Sequence, residues 1–327
     1  MGRKELTGKI STLLILLLLT GAIFFFSLLK GKVSYTFSDL FSRKGEADII
    51  LLNIRLPRCI TALIVGGILS ISGVVLQGIL QNPLAEPYTL GISGGGALGT
   101  TIAVILGFGI AGRVGLSFAG ALLSIFLVLL LAQRRGITPA SLILSGVIIS
   151  FLFTSLVLLL FSLSHTREIH EVYSWMMGNL STLTLHQAKI FFLLSLPFIP
   201  LLFTGRELNV LSMGDERAHS LGIVPSRWRL FLFLLTAYLA GMSISFTGII
   251  GFVGLMVPHL LRLAWGENNI FLLPASFLAG GSFLLLCDFL ARNIAYPEEI
   301  PVGVITGILG SIFFFFLFLK GKYGNIT

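Results

Sequence analysis

The sequence predicts an all-α protein that crosses a membrane with about ten helices. Of its 327 residues, 55% are hydrophobic and only 11% are charged, and the mean hydropathy is +0.99. Soluble domains carry about 25% charged residues, so these values favour a membrane protein. The charges are also grouped, so that long apolar stretches alternate with short polar ones. No linker or low-complexity segment interrupts residues 1–327, and we expect one transmembrane domain.

The first predicted helix covers residues 10–29. Arg3, Lys4 and Lys9 precede this apolar run, an arrangement that resembles a signal peptide. The apolar part of a signal peptide is about 7–15 residues long and is followed by a small-residue cleavage site. This run is longer and has no such site, so we expect it to remain as a span.

Charge-free stretches define the remaining spans, because a helix that crosses the bilayer needs about 20 apolar residues. The stretches are 10–29, 59–85, 87–112, 114–133, 136–166, 190–205, 230–261, 268–287 and 300–319. The stretch 230–261 is too long for one helix. It is interrupted by Gly248, Gly251, Gly254 and Pro258. We predict a helix near 228–247 and a shorter one near 250–264, which brings the total to ten. The shorter helix must be shielded by protein, because broken backbone facing lipid leaves polar groups unpaired.

The positive-inside tendency places both termini in the cytoplasm. With that orientation the basic residues on the inside include Arg134, Arg135, Arg262, Lys320, Lys322 and those of segment 205–229. Their excess is small, because many basic residues lie at the outer surface. These are Lys30, Lys32, Arg43, Lys44, Arg55, Arg58, Arg113, Arg167, Lys189 and Arg292. The outward basic region therefore needs a separate explanation.

Two hydrophilic segments stand out between the spans. Segment 164–186 is expected outside, and segment 205–229 is expected in the cytoplasm. In the second segment, apolar residues recur at helical spacing among charges, which predicts a short amphipathic helix. They are Leu208, Leu211, Ala218 and Leu221. Such a helix either lies on the bilayer surface or docks a cytoplasmic partner, and the spacing alone leaves both interpretations open.

A glycine-rich stretch at 91–100 raises the question of a nucleotide site. Gly94, Gly96 and Gly99 spell G-x-G-x-x-G. A dinucleotide-binding fold needs a strand before this motif and a carboxylate about 20 residues after it, and a P-loop needs Gly-Lys-Ser/Thr. No acidic residue occurs between Glu86 and Glu168, and this region contains no lysine. We therefore expect this chain to bind no nucleotide.

The same glycines fit a membrane helix better. Gly91, Gly95 and Gly99 are spaced four apart, which places a small face on one side of a helix. Small faces let neighbouring backbones approach closely inside a bilayer. The sequence therefore predicts close helix packing at these three glycines.

No pattern of a membrane enzyme or a metal centre is present. The sequence lacks H-E-x-x-H, G-x-S-x-G and paired carboxylates on a span. His165 and His170 in the outer segment are candidates for contact with haem or a metal, although histidines in polar loops usually have no ligand role. Cys59 and Cys287 lie in apolar runs and indicate neither a disulfide nor a metal site. We expect no metal and no cofactor on this chain.

Five segments, in order and with similar spacing, resemble the permeases of ATP-binding-cassette importers for iron-siderophores, haem and cobalamin, the FecCD type. They are 55–99 with R-L-P-R and N-P-L-A, 175–180 (WMMGNL), 208–223, 248–266 and 272–310. The resemblance implies a ten-helix subunit of the cytoplasmic membrane of a bacterium or archaeon. It also implies a second permease subunit, ATPase subunits that bind the ATP, and an extracytoplasmic substrate-binding protein. These motifs are shared by all three cargo classes, and by homodimers and heterodimers.

The resemblance also implies which residues contact the partners. Segment 208–222 would couple to the ATPase through Gly214, Asp215, Glu216, Arg217, Ala218, Leu221 and Gly222. The importer signature E-A-A-x-x-x-G is kept at Glu216, Ala218 and Gly222, but Arg217 replaces its first alanine. The outer arginines Arg55, Arg58 and Arg292 would dock the binding protein. The alternative is that they are interfacial arginines at helix ends.

The neighbourhood 138–146 (TPASLILSG) forms part of the cytoplasmic gate in this family. The resemblance makes Thr138, Ser141 and Ser145 candidates for the pathway or gate. The alternative is close helix packing, in which small residues are common.

The alternative function is an ion-gradient-driven secondary transporter. Such carriers usually need ionisable groups at membrane depth. We expect Glu86 in a cytoplasmic turn, and we expect Asp288 and Arg292, four residues apart, to pair locally at the outer end of the ninth helix. The spans are otherwise free of charge, which counts against ion coupling.

Overall fold

The computed structural model describes residues 3–31, 35–36, 49–181, 183–295 and 297–319, and these residues contain helices and no strand. A π-helical turn at Ile49–Arg55 and a 3-10 turn at Pro87–Leu90 accompany the α-helices. The α-helices are α1 (Arg3–Leu29), α2 (Leu56–Leu80), α3 (Ile92–Ile105), α4 (Ile110–Gln133), α5 (Pro139–Leu163), α6 (Thr166–Met176), α7 (Leu185–Ser195), α8 (Phe198–Leu201), α9 (Gly205–Leu211), α10 (Asp215–Ser220), α11 (Pro225–Thr247), α12 (Val253–Trp265), α13 (Asn269–Asn293) and α14 (Val302–Leu319). The all-α membrane fold predicted from the sequence is confirmed.

Within the described ranges, seven helical segments are long and apolar enough to cross a membrane. They contain α1, α2, α4, α5, α11, α13 and α14. The other three predicted spans overlap shorter helices: α3 has 14 residues, α7 has 11 and α12 has 13. The span expected over 190–205 is divided between the end of α7, α8 and the first residue of α9. The predicted division of 230–261 is present, because α11 ends at Thr247 and α12 begins at Val253.

Helix α2 is the centre of the bundle. It is almost entirely buried and packs against α13, α11, α12 and α1. Glycines permit this packing: a Cβ on Gly66 would lie 2.3 Å from the carbonyl oxygen of Gly280 on α13, and one on Gly73 would lie 1.8 Å from that of Gly254 on α12. Helix α12 packs against α2, α13 and α14, so its first half, next to the break, is buried as expected, whereas Leu260 and Leu263 in its second half are exposed.

Helices α3 and α4 approach each other equally closely. A Cβ on Gly95 would lie 2.3 Å from the Gly120 oxygen, and one on Gly99 would lie 2.0 Å from the Leu116 oxygen. Gly91 ends the 3-10 turn with a φ of 84°, a left-handed conformation that favours glycine. The glycine-rich stretch therefore serves a turn and a helix contact.

We name the two ends of the helix bundle after residues that lie near the two ends of α2. The arginine end contains Arg58 at the start of α2, together with the end of α13 and the start of α14. The Asp215 end contains Ile79 at the other end of α2, together with α9 and α10. Of the basic residues used for orientation, Lys32, Arg43, Lys44, Lys320 and Lys322 lie outside the described residues.

Candidate functional site

A network of buried charges lies at the arginine end. Arg58 donates through Nε to Asp288 Oδ1 at 2.8 Å and through Nη1 to Glu299 Oε2 at 2.8 Å. The Nε atom of Arg292 lies 3.1 Å from Asp288 Oδ2, so the expected local pair is present. The Asp288 side chain is fully buried, whereas that of Glu299 is 45% exposed. One sealed carboxylate is therefore shared by two arginines, and the second carboxylate is open to solvent.

Arg55 lies beside this network and bonds to the end of α1. Its Nη1 atom donates to the carbonyl oxygens of Leu28 at 3.2 Å and Leu29 at 3.3 Å, and its guanidinium lies 5.2 Å from the Tyr35 ring centroid. Arg292 also donates to the Ser27 carbonyl at 3.2 Å. The last carbonyls of a helix have no partner inside it, so both arginines satisfy the end of α1.

The three arginines predicted for docking thus meet in one place. With Glu299 they line a cavity of about 200 Å³ at the arginine end. Arg55 and Arg58 are 9% and 7% exposed, so other residues of this chain already cover most of their surface. The sequence indicated no partner for Glu299. Its pairing with Arg58 was missed because these residues lie 241 positions apart.

Segment 205–229 forms the surface of the Asp215 end. Leu208, Leu211 and Ala218 are fully or almost fully buried, as the helical spacing indicates, but Leu221 is 61% exposed. Met213 is also exposed. Between these two apolar residues, the exposed polar residues are Asp215, Glu216, Arg217, His219 and Ser220. The segment therefore presents two apolar side chains within a charged surface.

Anchors on the buried side hold this segment in place. Asn209 Nδ2 donates to Asn268 Oδ1 at 3.0 Å, and the backbone N–H of Asn269 donates to Asn209 Oδ1 at 2.8 Å. These contacts fix α9 to the start of α13. A Cβ on Gly205 would lie 2.6 Å from the Ile270 Cα, so α9 and α13 also touch through their backbones.

Arg229 is a residue that sequence reasoning missed. It is 2% exposed, and its Nη2 donates to Asp215 Oδ1 at 2.7 Å. It also donates to the carbonyl oxygens of Ile79 and Ile137, each at 3.1 Å. The signal that was available is that Arg229 directly precedes the apolar run of α11, because burying such a charge requires hydrogen-bond partners.

The candidate gate residues form a helix cap. Thr138 Oγ1 accepts from the Ser141 N–H at 3.2 Å, and Ser141 Oγ accepts from the Thr138 N–H at 3.0 Å. This reciprocal arrangement begins α5. Ser145, one turn further on, is buried. A role for these residues in a pathway stays a prediction.

The turn that contains Glu86 reaches the break between α11 and α12. The Ile250 N–H donates to Tyr88 Oη at 3.2 Å. Burial raises the pKa of Glu86 to about 7, and the nearby backbone of Phe252 opposes this shift. Glu86 thus contacts a broken helix of the bundle, where sequence reasoning placed only a cytoplasmic turn.

The histidines of the outer segment lie around α6. His170 lines a cavity of about 350 Å³ with Arg113, Glu171 and Trp175. Arg113 Nη2 donates to Glu171 Oε2 at 2.7 Å, and this hydrogen bond lowers the pKa of Glu171. Among the described residues, no group of three or more His, Cys, Asp or Glu side chains is placed to hold a metal ion.

The family model of the FecCD transport family matches residues 15–320. This chain belongs to that family. It is 36% identical over 301 residues to the hemin transport system permease protein HmuU of Yersinia pestis, covering 89% of this chain and 90% of that protein. It is 36% identical over 327 residues to the vitamin B12 import system permease protein BtuC of Escherichia coli, covering 98% of both chains.

A solved structure has the same architecture. It is described as an inward-facing conformation of a metal-chelate type ABC transporter, and the superposition gives a TM-score of 0.87 at 34% identity. The match covers 95% of this chain and 99% of that one. The FecCD chain is thus a multi-pass permease subunit of an ABC importer in the inner membrane, and a separate subunit hydrolyses ATP. A permease of this kind works with an ATPase, a substrate-binding partner and a second permease subunit.

Proposed function

We propose that this permease moves a metal chelate of the iron-siderophore, haem or cobalamin class into the cytoplasm. The observation that carries the proposal is the 36% identity to vitamin B12 and hemin permeases over 98% and 89% of this chain. The metal-chelate type of the structural relative supports the same cargo class. The permease binds no ATP itself, and its cargo passes between two permease subunits, either two copies of this chain or this chain and a related one.

The Asp215 end faces the cytoplasm with both chain termini, and its surface contacts the ATPase. The proposed contact residues are Gly214, Asp215, Glu216, Arg217, Leu221 and Gly222. Ala218 was also expected to contact the ATPase, but it is fully buried and instead packs α10 against the bundle. The exposure of Met213 and Leu221 among charges supports this assignment, because apolar residues rimmed by polar ones suit a protein interface. A helix that only lay on the bilayer would also bury these apolar residues, so binding of the ATPase has to be measured.

The arginine end faces the substrate-binding protein. Arg55, Arg58 and Arg292 carry three positive charges there, against the two carboxylates of Asp288 and Glu299. Clustered guanidinium groups attract acidic residues and orient the encounter, an effect that acts mainly on the association rate.

The cap formed by Thr138 and Ser141, with Ser145 behind it, belongs to the cytoplasmic gate.

The second candidate is a carrier driven by an ion gradient. It is favoured by Glu86, since burial raises its pKa to about 7 beside a helix break. A carboxyl group that titrates near neutral pH inside a transporter is suited to proton binding. The test therefore has to separate ATP from an ion gradient as the energy source.

The deciding experiment reconstitutes the permease in liposomes with its own ATPase and binding protein. Uptake of an iron-siderophore, haem and cobalamin is measured with ATP, with a proton or sodium gradient, and with neither. We expect uptake of one chelate class that requires ATP and the binding protein. Uptake driven by a gradient without ATP would contradict the proposal and favour the carrier.

A second experiment tests the docking assignment. Arg292→Glu should weaken binding of the substrate-binding protein by about tenfold or more, since juxtaposed like charges cost several kcal/mol. Arg113→Glu is the matched control, because Arg113 lies at the same end but pairs with Glu171 outside the cluster. Equal affinities for the wild type and Arg292→Glu would remove the docking role.

A further inference from the structure

Arg229 holds three separate parts of the Asp215 end together. Its Nε donates to the Ile79 carbonyl at 3.1 Å, its Nη1 to the Ile137 carbonyl at 3.1 Å, and its Nη2 to Asp215 Oδ1 at 2.7 Å. A second contact joins Nη1 and Asp215 Oδ2 at 3.5 Å. A guanidinium is planar and presents its donors in a fixed fork. The three acceptors are therefore held at fixed positions relative to one another.

The acceptors belong to elements that lie far apart in the sequence. Ile79 is in the last turn of α2, the central helix. Ile137 directly precedes Thr138, which caps α5. Asp215 is the first residue of α10, in the surface segment assigned to the ATPase. One buried side chain thus bonds to the surface segment, to the core helix and to the turn that begins α5.

Exposure differs sharply along this connection. The Arg229 side chain is 2% exposed, whereas that of Asp215 is 50% exposed. A partner that contacts α10 can therefore touch Asp215, whereas Arg229 is sealed inside the protein. Separating a buried arginine from its carboxylate leaves an uncompensated charge, which is strongly unfavourable. Arg229 is therefore expected to follow Asp215 when α10 moves.

We propose that Arg229 is the positioning residue that transmits movement of the ATPase-contacting segment to α2 and α5. This inference rests on the proposed function, since it requires an ATPase acting on segment 205–229. A shift of α10 displaces Asp215, the guanidinium moves with it, and the ends of α2 and α5 move as attached rigid bodies. The cap of α5 contains Thr138 and Ser141, so the connection ends at the candidate gate.

A merely structural arginine would behave differently. The carbonyl of Ile79 is one of the last in α2, and these carbonyls need a donor from outside the helix. If Arg229 only satisfied them, its replacement would lower stability but would leave the amount of cargo imported per ATP unchanged. The ratio of uptake to ATP hydrolysis is therefore the measurement that separates the two roles.

The test uses the complete importer in liposomes, with its own ATPase and binding protein. The variants are Arg229→Lys, which keeps the charge but loses the planar fork, and Arg229→Gln, which loses both. Uptake per ATP is expected to fall about tenfold or more in both, because each hydrogen bond to a charged group is worth at least that factor. Arg134→Gln, an exposed arginine at the end of α4, is the matched control and should leave the ratio unchanged.

A double-mutant cycle identifies the route of coupling. Asp215→Asn alone should lower uptake per ATP, and adding it to Arg229→Lys should cause little further loss if Asp215 acts through Arg229. Losses that multiply would show that Asp215 acts directly on the ATPase, and they would overturn the proposal. If Arg229→Gln does not assemble, Arg229→Lys and Asp215→Asn complete the test.

The result separates this inference from the proposed function. If the wild type imports with ATP and Arg229→Lys keeps the wild-type ratio, only the transmission role of Arg229 is overturned. If the wild type imports nothing with ATP, the proposed function fails and this inference fails with it.

Discussion

A buried arginine lies at each end of α2, Arg58 at one end and Arg229 at the other. The two ends differ in how the charge of that arginine is compensated. At the arginine end the carboxylate of Asp288 is fully buried and is shared with Arg292. At the Asp215 end the carboxylate is half exposed, and backbone carbonyls occupy the other donors of the arginine.

This difference indicates two mechanical roles. A sealed carboxylate between two arginines fixes α2 to α13, since none of the three charges can leave without stranding the others. An exposed carboxylate on a buried arginine instead lets an outside partner act on the interior. We therefore expect the arginine end to hold α2 and α13 in a fixed arrangement, and we call it the anchor. We expect the Asp215 end to pass the movement of a partner to the interior, and we call it the lever.

The largest effect is expected from Asp288→Asn. The change leaves Arg58 and Arg292 facing each other without their shared negative charge, and breaking a buried pair in this way costs about 3 kcal/mol or more. Equilibrium unfolding in mixed micelles measures the loss. Glu298→Gln, a change at an exposed carboxylate nearby, is the control and should have little effect. A loss below that of Asp215→Asn would break the anchor-and-lever comparison.

Asp215→Asn should destabilise the protein less, by about 1–2 kcal/mol, because the Asp215 side chain is half exposed and the carbonyls of Ile79 and Ile137 still accept hydrogen bonds from Arg229. The same unfolding measurement applies, with Glu216→Gln as the neighbouring exposed control. A loss equal to that of Asp288→Asn would mean that the Asp215 carboxylate is as firmly sealed in solution as Asp288. The lever interpretation would then fail.

Glu299→Gln should change the stability by less than about 1 kcal/mol, because the Glu299 side chain is 45% exposed. It should strengthen binding of the substrate-binding protein by about two- to fivefold, since it adds one net positive charge to the cluster and frees Arg58 from a competitor. Surface-immobilised binding measurements at low and high salt check both the gain and its electrostatic origin. A weaker complex would instead identify Glu299 as a docking contact.

The smallest effect concerns Glu171, whose pKa is held below its ordinary value of 4.5 by the hydrogen bond from Arg113. A depressed pKa stabilises the fold above the unfolded value, and this contribution disappears as the pH falls through the folded value. Both side chains are about one-third exposed, so less than about 0.5 kcal/mol is expected. The stability difference between the wild type and Arg113→Gln should therefore close as the pH falls below 4.5 and through the lowered pKa of Glu171.

The matched control for that measurement is Arg167→Gln. Arg167 also lies near Glu171, at 3.4 Å, but its side chain is 90% exposed. Its replacement should leave the stability difference almost constant across the same pH range. If the stability difference from the wild type closed equally in both variants, general charge repulsion would explain the acid sensitivity, and the ion pair of Arg113 and Glu171 would not.

Sequence patterns predicted the helices where local composition decides them. The break between α11 and α12 followed from Gly248 and Gly251, and the structure has it there, whereas Gly254 and Pro258, which were also expected to interrupt the helix, lie inside α12. The span expected over 87–112 is only Ile92–Ile105 in the structure. Hydropathy depends only on local composition. The start of α3 is instead set by a 3-10 turn, and Tyr88 in this turn accepts a hydrogen bond from the backbone of Ile250, which is distant in the sequence.

The candidate sites show the same division. The pair of Asp288 and Arg292 was predicted because residues four apart face each other on a helix. The pairing of Arg58 with Asp288 was not, because 230 positions separate them. The three contacts of Arg229 were also missed, since nothing adjacent to it in the sequence indicates Ile79 or Ile137.

The sequence by itself determined the class of this protein, most of its membrane helices and its resemblance to the FecCD permeases. These depend on apolar runs, glycine interruptions and short motifs, which are local properties of the chain. Only the tertiary structure decided which charges are sealed and which are exposed. That outcome depends on how closely α2 packs against α12 and α13 through glycines, because this packing brings the ends of distant helices within hydrogen-bonding distance.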